Sequence, residues 1–168
     1  MYNEGVINSI KDKLIASNES VAVAESVTSG HLQAALSMAE NASLFYQGGL
    51  TTYNLGQKCR HLNIEPIHAE KCDCVSKDVA IKMAGEICKM FLSNWGIGIT
   101  GYATPVPGKT EYGLYAYYAI VHNGEPIVAK KIVTQQNGAV ETQVFYTNTV
   151  LEHLELLVEK LEAIPATT

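Results

Sequence analysis

The run VAVAESVTSGHLQAALSM, Val21 to Met38, decides how the chain is read. Val21 to Ala24 are apolar and partly β-branched, as in a strand buried on both faces. A carboxylate, two serines, a threonine and a glycine then interrupt the pattern. His31, Leu32, Ala34, Ala35, Leu36 and Met38 follow with helical spacing. The break from Ser26 to Gly30 thus stands between the carboxyl end of a strand and the amino end of a helix, with Ser26 or Thr28 available to cap the first turn. In open α/β sheets that junction is where ligands bind, because backbone N–H groups face outward there.

Upstream, Val6, Ile7, Ile10, Leu14 and Ile15 share one face of a helix over Glu4 to Ser17. Downstream, Leu44 to Tyr53 reads as a strand or hairpin edge, with Gly48 and Gly49 marking a bulge or close approach. Gly56 to Leu62 is a short helix carrying Lys58, Pro66 marks a turn, and His68 to Cys74 is a connector of no assigned form. Ser76 caps a helix over Lys77 to Leu92, and Trp95 to Thr100 is a strand leading into a Gly/Pro loop. Gly113 to Val121 and Pro126 to Thr134 flank His122-Asn123-Gly124-Glu125, a hairpin signal. A long helix fills Asn137 to Leu161. This order predicts an α/β fold with a mixed central sheet between helical layers.

With 168 residues, 47% of them apolar, the chain can bury one core, so residues 1–168 are expected to form a single domain. A formal charge of -5 gives no electrostatic reason to expect nucleic acid or an anionic membrane as partner. The four cysteines, with no signal peptide before them, point to reduced thiols and a cytoplasmic setting. Cys72-Asp-Cys74 lacks zinc-knuckle spacing and the five histidines are dispersed, so no metal is expected. No apolar run reaches the length of a spanning helix.

A serine at the strand-to-helix break can be held clear of the core beside free amides, but as a nucleophile it needs a base. Ser26 and Thr28 both compete for the roles of attacking group and cap. Lys58, if partly enclosed, would have a lowered pKa and act as a neutral base, and Tyr53 could orient or relay the proton. A solvent-facing lysine on a short helix explains Lys58 equally well. Glu25 could hold the lysine or cap backbone. Thr100, Gly101, Thr104 and Lys109 surround exposed loop amides, although Gly108-Lys109-Thr110 lacks the spacing of a P-loop. The tyrosines from Tyr112 to Tyr118, with no basic residues among them, suit packing across a sheet better than stacking on bases.

Taken together, Ala24-Glu25-Ser26-Val27-Thr28-Ser29-Gly30, Phe45 to Tyr53 with Lys58 beyond, Cys74-Val75-Ser76, and Ile99-Thr100-Gly101-Tyr102-Ala103 resemble the carboxy-terminal domain of the competence-damage-inducible protein family. The resemblance implies a three-layer α/β/α domain, cytoplasmic and often self-associating as a homo-oligomer. In active members it implies an amidase that converts nicotinamide mononucleotide to nicotinic acid mononucleotide and ammonia, without cofactor. Carried onto this chain, it makes Ser26 the nucleophile, Lys58 the base and Tyr53 an orienter. Glu25, Thr28, Ser29, Gly30, Asn54, Thr100, Gly101 and Thr104 then surround a pyridine mononucleotide. The chain departs from the family pattern at Ser29 and Thr104, which replace glycines, at Asn54-Leu55, which replaces Ser-Asn, and at Tyr102, which replaces isoleucine. Leucine at 55 removes an amide hydrogen-bonding group from the expected pocket. Two other functions fit the same residues: a silent module that binds a nucleotide-like metabolite and self-associates, or hydrolysis of a different small amide.

Overall fold

A computed structural model describes residues 1–162. Five strands form one sheet in the order β2-β1-β3-β4-β5. They are β1 (Val21–Glu25), β2 (Tyr46–Thr51), β3 (Trp95–Gly101), β4 (Leu114–His122) and β5 (Glu125–Thr134). Strand β1 runs parallel to both β2 and β3, whereas β4 and β5 add antiparallel, so the sheet is mixed. The helices are α1 (Glu4–Ala16), α2 (His31–Ser37), α3 (Leu55–Leu62), α4 (Pro66–Lys71), α5 (Lys77–Phe91) and α6 (Ala139–Glu162). Helices α1, α2 and α6 cover one face and α3, α4 and α5 the other, giving the α/β/α sandwich expected from the sequence.

The two faces of the sheet differ in side-chain size. Val21, Val23, Trp95, Ile97, Ile99, Tyr118 and Ile120 point into the larger core beneath α1, α2 and α6. The alternate residues Ala22, Ala24 and Ala119 meet α3, α4 and α5 with little more than methyl groups. Glycine completes the small face. A Cβ at Gly98 would overlap the Ala80 carbonyl and lie 2.8 Å from Met83 Cβ, and one at Gly96 would lie 2.9 Å from Cys88 Cβ. Helix α5 therefore rests directly on the β3 backbone. The apolar run in β1 is continuous because both of its faces are roofed.

Two local expectations change. Pro66 opens α4 at its first turn instead of marking a turn, since a proline there gives up an N–H that has no intrahelical acceptor. Part of His68–Cys74 is thereby helical. The anticipated bulge lies where β2 meets β1: Val21 pairs with Tyr46 and Ala22 with Gly48, leaving Gln47 unpaired. The Asn123-Gly124 hairpin forms as read, with φ of 50° and 85°. Among the described residues no helix is long and apolar enough to cross a membrane.

A methyl at position 98 has nowhere to go without displacing α5. Gly98→Ala is expected to lower unfolding free energy by roughly 2–3 kcal/mol, read from the urea midpoint.

Candidate functional site

Strand β1 ends at Glu25, and the chain turns through Ser26–Gly30 before α2 begins. Neither Ser26 nor Thr28 caps that helix: its N-cap is Gly30, with no side-chain hydrogen bond of its own. The cap comes from Glu25. Its carboxylate, fully buried, accepts from the amides of Gly30 (3.0 Å), Leu32 (3.1 Å) and Gln33 (2.9 Å). Those N–H groups lie at the start of the helix and have no intrahelical acceptor, and the positive end of the helix favours an anion there. Inside the turn, the Ser29 amide donates to the Ser26 carbonyl over 3.2 Å. Ser29 itself has φ 49°, a left-handed conformation that suits glycine, and its hydroxyl donates to the same carbonyl over 3.3 Å.

This turn exposes the Ser26 side chain toward a cavity of about 490 Å³ at the carboxyl ends of β1, β2 and β3. Lys58 reaches it from α3. Only 2% exposed, Lys58 lies with Nζ 2.8 Å from Ser26 Oγ, 2.9 Å from the Thr52 carbonyl and 3.2 Å from the Tyr53 carbonyl. Burial pushes the ammonium below lysine's ordinary range, opposed by Cys74, Asp73 and Cys59 nearby. The reading of Lys58 as a solvent-facing residue is thereby excluded.

The cavity brings together Ser26, Tyr53, Asn54, Lys58, Thr100, Gly101 and Thr104. Glu25, Thr28, Ser29 and Gly30 lie outside its lining, behind the turn that they shape. Of Tyr53 it is the carbonyl that meets Lys58, while the residue as a whole is 77% exposed. Asn54 spends its side-chain oxygen capping α3, accepting from the Gln57 amide at 3.0 Å. Thr100 Oγ1 donates to the Cys74 carbonyl at 2.7 Å, tying the end of β3 to the turn before α5. Thr28 Oγ1 is buried without a hydrogen-bond partner.

Several lining residues are not among the catalytic and binding residues expected from sequence. Asp73 bonds Lys109 and accepts from the Tyr102 hydroxyl at 2.9 Å, joining the Gly/Pro loop to the turn before α5. The Lys109 hydrogen bond holds the Asp73 carboxyl below the usual range, and Tyr102 is raised by burial and by Asp73. Gln143, on α6, donates to the Val27 carbonyl at 2.9 Å. Cys74 also lines the cavity, its thiol pushed up by burial. No local motif announces Asp73 or Gln143, and the motifs that hold Cys74 and Tyr102 do not announce these contacts; only the closure of the sheet brings α6 and the α4–α5 turn to the end of β1.

An α/β/α sandwich with a buried lysine on the serine that follows its first strand defines the class. Residues 3–161 match the family model described as the CinA C-terminal domain, and the chain belongs to that family. A Clostridioides difficile protein named for competence-damage inducibility is 32% identical, covering 96% of this chain and 41% of the relative. A CinA-like protein of Amoebophilus asiaticus is 27% identical, covering 96% and 38%. The chain thus spans about two fifths of the length of these relatives. Among solved structures, a competence or damage-inducible protein from Enterobacter asburiae superposes with a TM-score of 0.85 at 24% identity, covering 94% of this chain and 99% of that one. A competence-damaged protein (CinA) superfamily protein from Escherichia coli gives 0.81 at 25% identity, covering 93% and 89%.

Removing the Glu25 carboxylate leaves three amides without their acceptor in a dry site. Glu25→Ala is expected to cost about 2–4 kcal/mol of stability, measured by thermal or urea unfolding.

Proposed function

We propose that the chain is an amidase with Ser26 as nucleophile and Lys58 as base. The reaction is that implied by the family resemblance, conversion of nicotinamide mononucleotide to nicotinic acid mononucleotide and ammonia. The observation that carries the reading is the 2.8 Å contact between Lys58 Nζ and Ser26 Oγ beside an open cavity. A neutral lysine has two N–H bonds and one lone pair. The Thr52 and Tyr53 carbonyls take the two donors, which leaves the lone pair for the Ser26 hydroxyl. Burial lowers the pKa of the amine and so favours that neutral form.

In this mechanism Lys58 takes the hydroxyl proton as Ser26 Oγ adds to the carboxamide carbon. Backbone amides bear the oxyanion, and among the hydrogen bonds of the described residues none uses the amide of Val27, which follows the nucleophile. Collapse breaks the C–N bond as the ammonium of Lys58 gives its proton to the departing amino group, which leaves as ammonia. A water molecule, deprotonated by the same lysine, hydrolyses the acyl-serine to acid and free Ser26. Self-association and a cytoplasmic setting belong to the same proposal, on the strength of the resemblance.

Leu55, Tyr102 and Thr104 line the cavity where the family pattern has asparagine, isoleucine and glycine. They favour a second reading, in which the pair acts on another small amide or the pocket binds a metabolite without turnover.

Ser26→Ala should abolish ammonia release from nicotinamide mononucleotide, and Lys58→Met should lower it by about 10²–10⁴-fold with the fold retained by circular dichroism. Because only the neutral amine serves as base, the rate should rise with pH and level off below 10.5, the ordinary lysine value. The unfolded chain binds that proton more readily than the folded one, so stability also rises with pH across the same interval. A flat or falling rate over that range, or ammonia release that survives Ser26→Ala, would remove the dyad.

A further inference from the structure

The turn that carries the nucleophile is tied firmly at its ends and lightly in its middle. Glu25 binds its exit to α2, while the Ser26 carbonyl is held only from within, by the amide and hydroxyl of Ser29 at 3.2 and 3.3 Å. Bonds internal to a turn move with it. Among the described residues the Val27–Thr28 peptide has one hydrogen bond, and it comes from outside: Gln143 Nε2 donates to the Val27 carbonyl over 2.9 Å. The Val27 side chain, buried in the larger core, fixes the position of its Cα. The peptide planes on either side of that Cα still turn about it unless hydrogen bonds hold them.

Gln143 is a firm post for that bond. Thr142, Tyr146 and Thr147 beside it on α6 are all buried, and Thr147 Oγ1 donates to the Gln143 carbonyl at 2.8 Å. One turn further on, the Tyr146 hydroxyl donates to the Tyr102 carbonyl at 3.1 Å. Helix α6 thus grips, from one side, both the β1–α2 turn and the loop that follows β3. Gln143 lines the cavity, yet its donor is committed to backbone.

An oxyanion donor stabilises the tetrahedral adduct only if its N–H is aimed before the charge develops; losing such a donor outright lowers turnover about 10²–10³-fold, and loosening it forfeits part of that. We propose that Gln143 is a positioning residue for this reaction: by holding the middle of the turn, it keeps the Val27 N–H directed at the carboxamide oxygen as Ser26 Oγ adds. The inference rests on the amidase reading of Ser26 and Lys58. Gln143 acts on the adduct, not on substrate affinity and not on the base, whose hydrogen bonds go to Ser26, Thr52 and Tyr53.

Gln143→Met keeps the length of the side chain and removes the donor. It should lower kcat for nicotinamide mononucleotide about 10- to 100-fold and leave the pH midpoint of the rate where it was. Calorimetry in the Ser26→Ala background should give the same mononucleotide affinity, within about twofold, with and without Gln143→Met. Phenylboronic acid adds to a serine hydroxyl as a tetrahedral anion; with Ser26 intact, Gln143→Met should weaken that adduct by about tenfold or more, read by boron NMR. If Gln143→Met does not fold by circular dichroism, Gln143→Glu, of equal length and unable to donate when ionised, should lose at least as much kcat and boronate affinity. A kcat within about threefold of the parent overturns the inference and leaves the amidase reading standing. So does a loss matched in mononucleotide affinity, or one that comes with a moved pH midpoint. A parent protein without Ser26-dependent ammonia release sinks the amidase reading instead. The boronate comparison then decides the inference, which falls if Gln143→Met leaves the adduct unchanged or if the parent forms none.

Discussion

The Glu25 carboxylate, held without exposed surface at the end of β1, fixes the geometry on which the site depends. Three amides at the start of α2 converge on it, so strand, turn and helix are locked in one orientation. The turn leaves little freedom for Ser26. Its carbonyl is tied down by Ser29, and its side chain is presented to the one buried lysine that can meet it. A charge buried without such partners would be severely destabilising, which is why the carboxylate and the orphan amides are found together.

The architecture was legible because hydrophobic period and punctuation agree at almost every element. The continuous apolar β1, the Ser76 cap, the Asn123-Gly124 turn and the stripe of α6 each have a local cause and each appear where that cause puts them. Pro66 was harder, because proline is equally at home in a turn and at the first position of a helix. The size asymmetry of the sheet was also present in the sequence, in the alternation of Val with Ala and of Ile with Gly. Its meaning depends on which face α5 covers, and pattern alone does not say.

The site was legible in part. Ser26 and Lys58 stand out in sequence by their places at a strand end and on a short helix, but their meeting required the parallel pairing of β1 with β2. The hydroxyl residues that usually serve do not cap α2; the carboxylate before them takes the role because it reaches past the turn. Asp73 and Gln143 carry no motif, and the motif that holds Tyr102 gives no hint of its contact with Asp73. Each enters through a tertiary contact, two across the mouth of the cavity and one from a helix more than a hundred residues along the chain from the serine that it helps to frame.

The strand order has a kinetic corollary. Strand β1 is zipped to β3 through pairs such as Val21 with Trp95, which closes a loop of roughly seventy residues. Such non-local pairing is slow to nucleate, which places mixed topologies between helical bundles and all-β folds in folding rate. Helix α3, with its amine, lies inside that loop. An emerging or partly collapsed chain therefore holds an ordinary serine and an ordinary lysine, and the pair acquires its chemistry only when the sheet has closed around it.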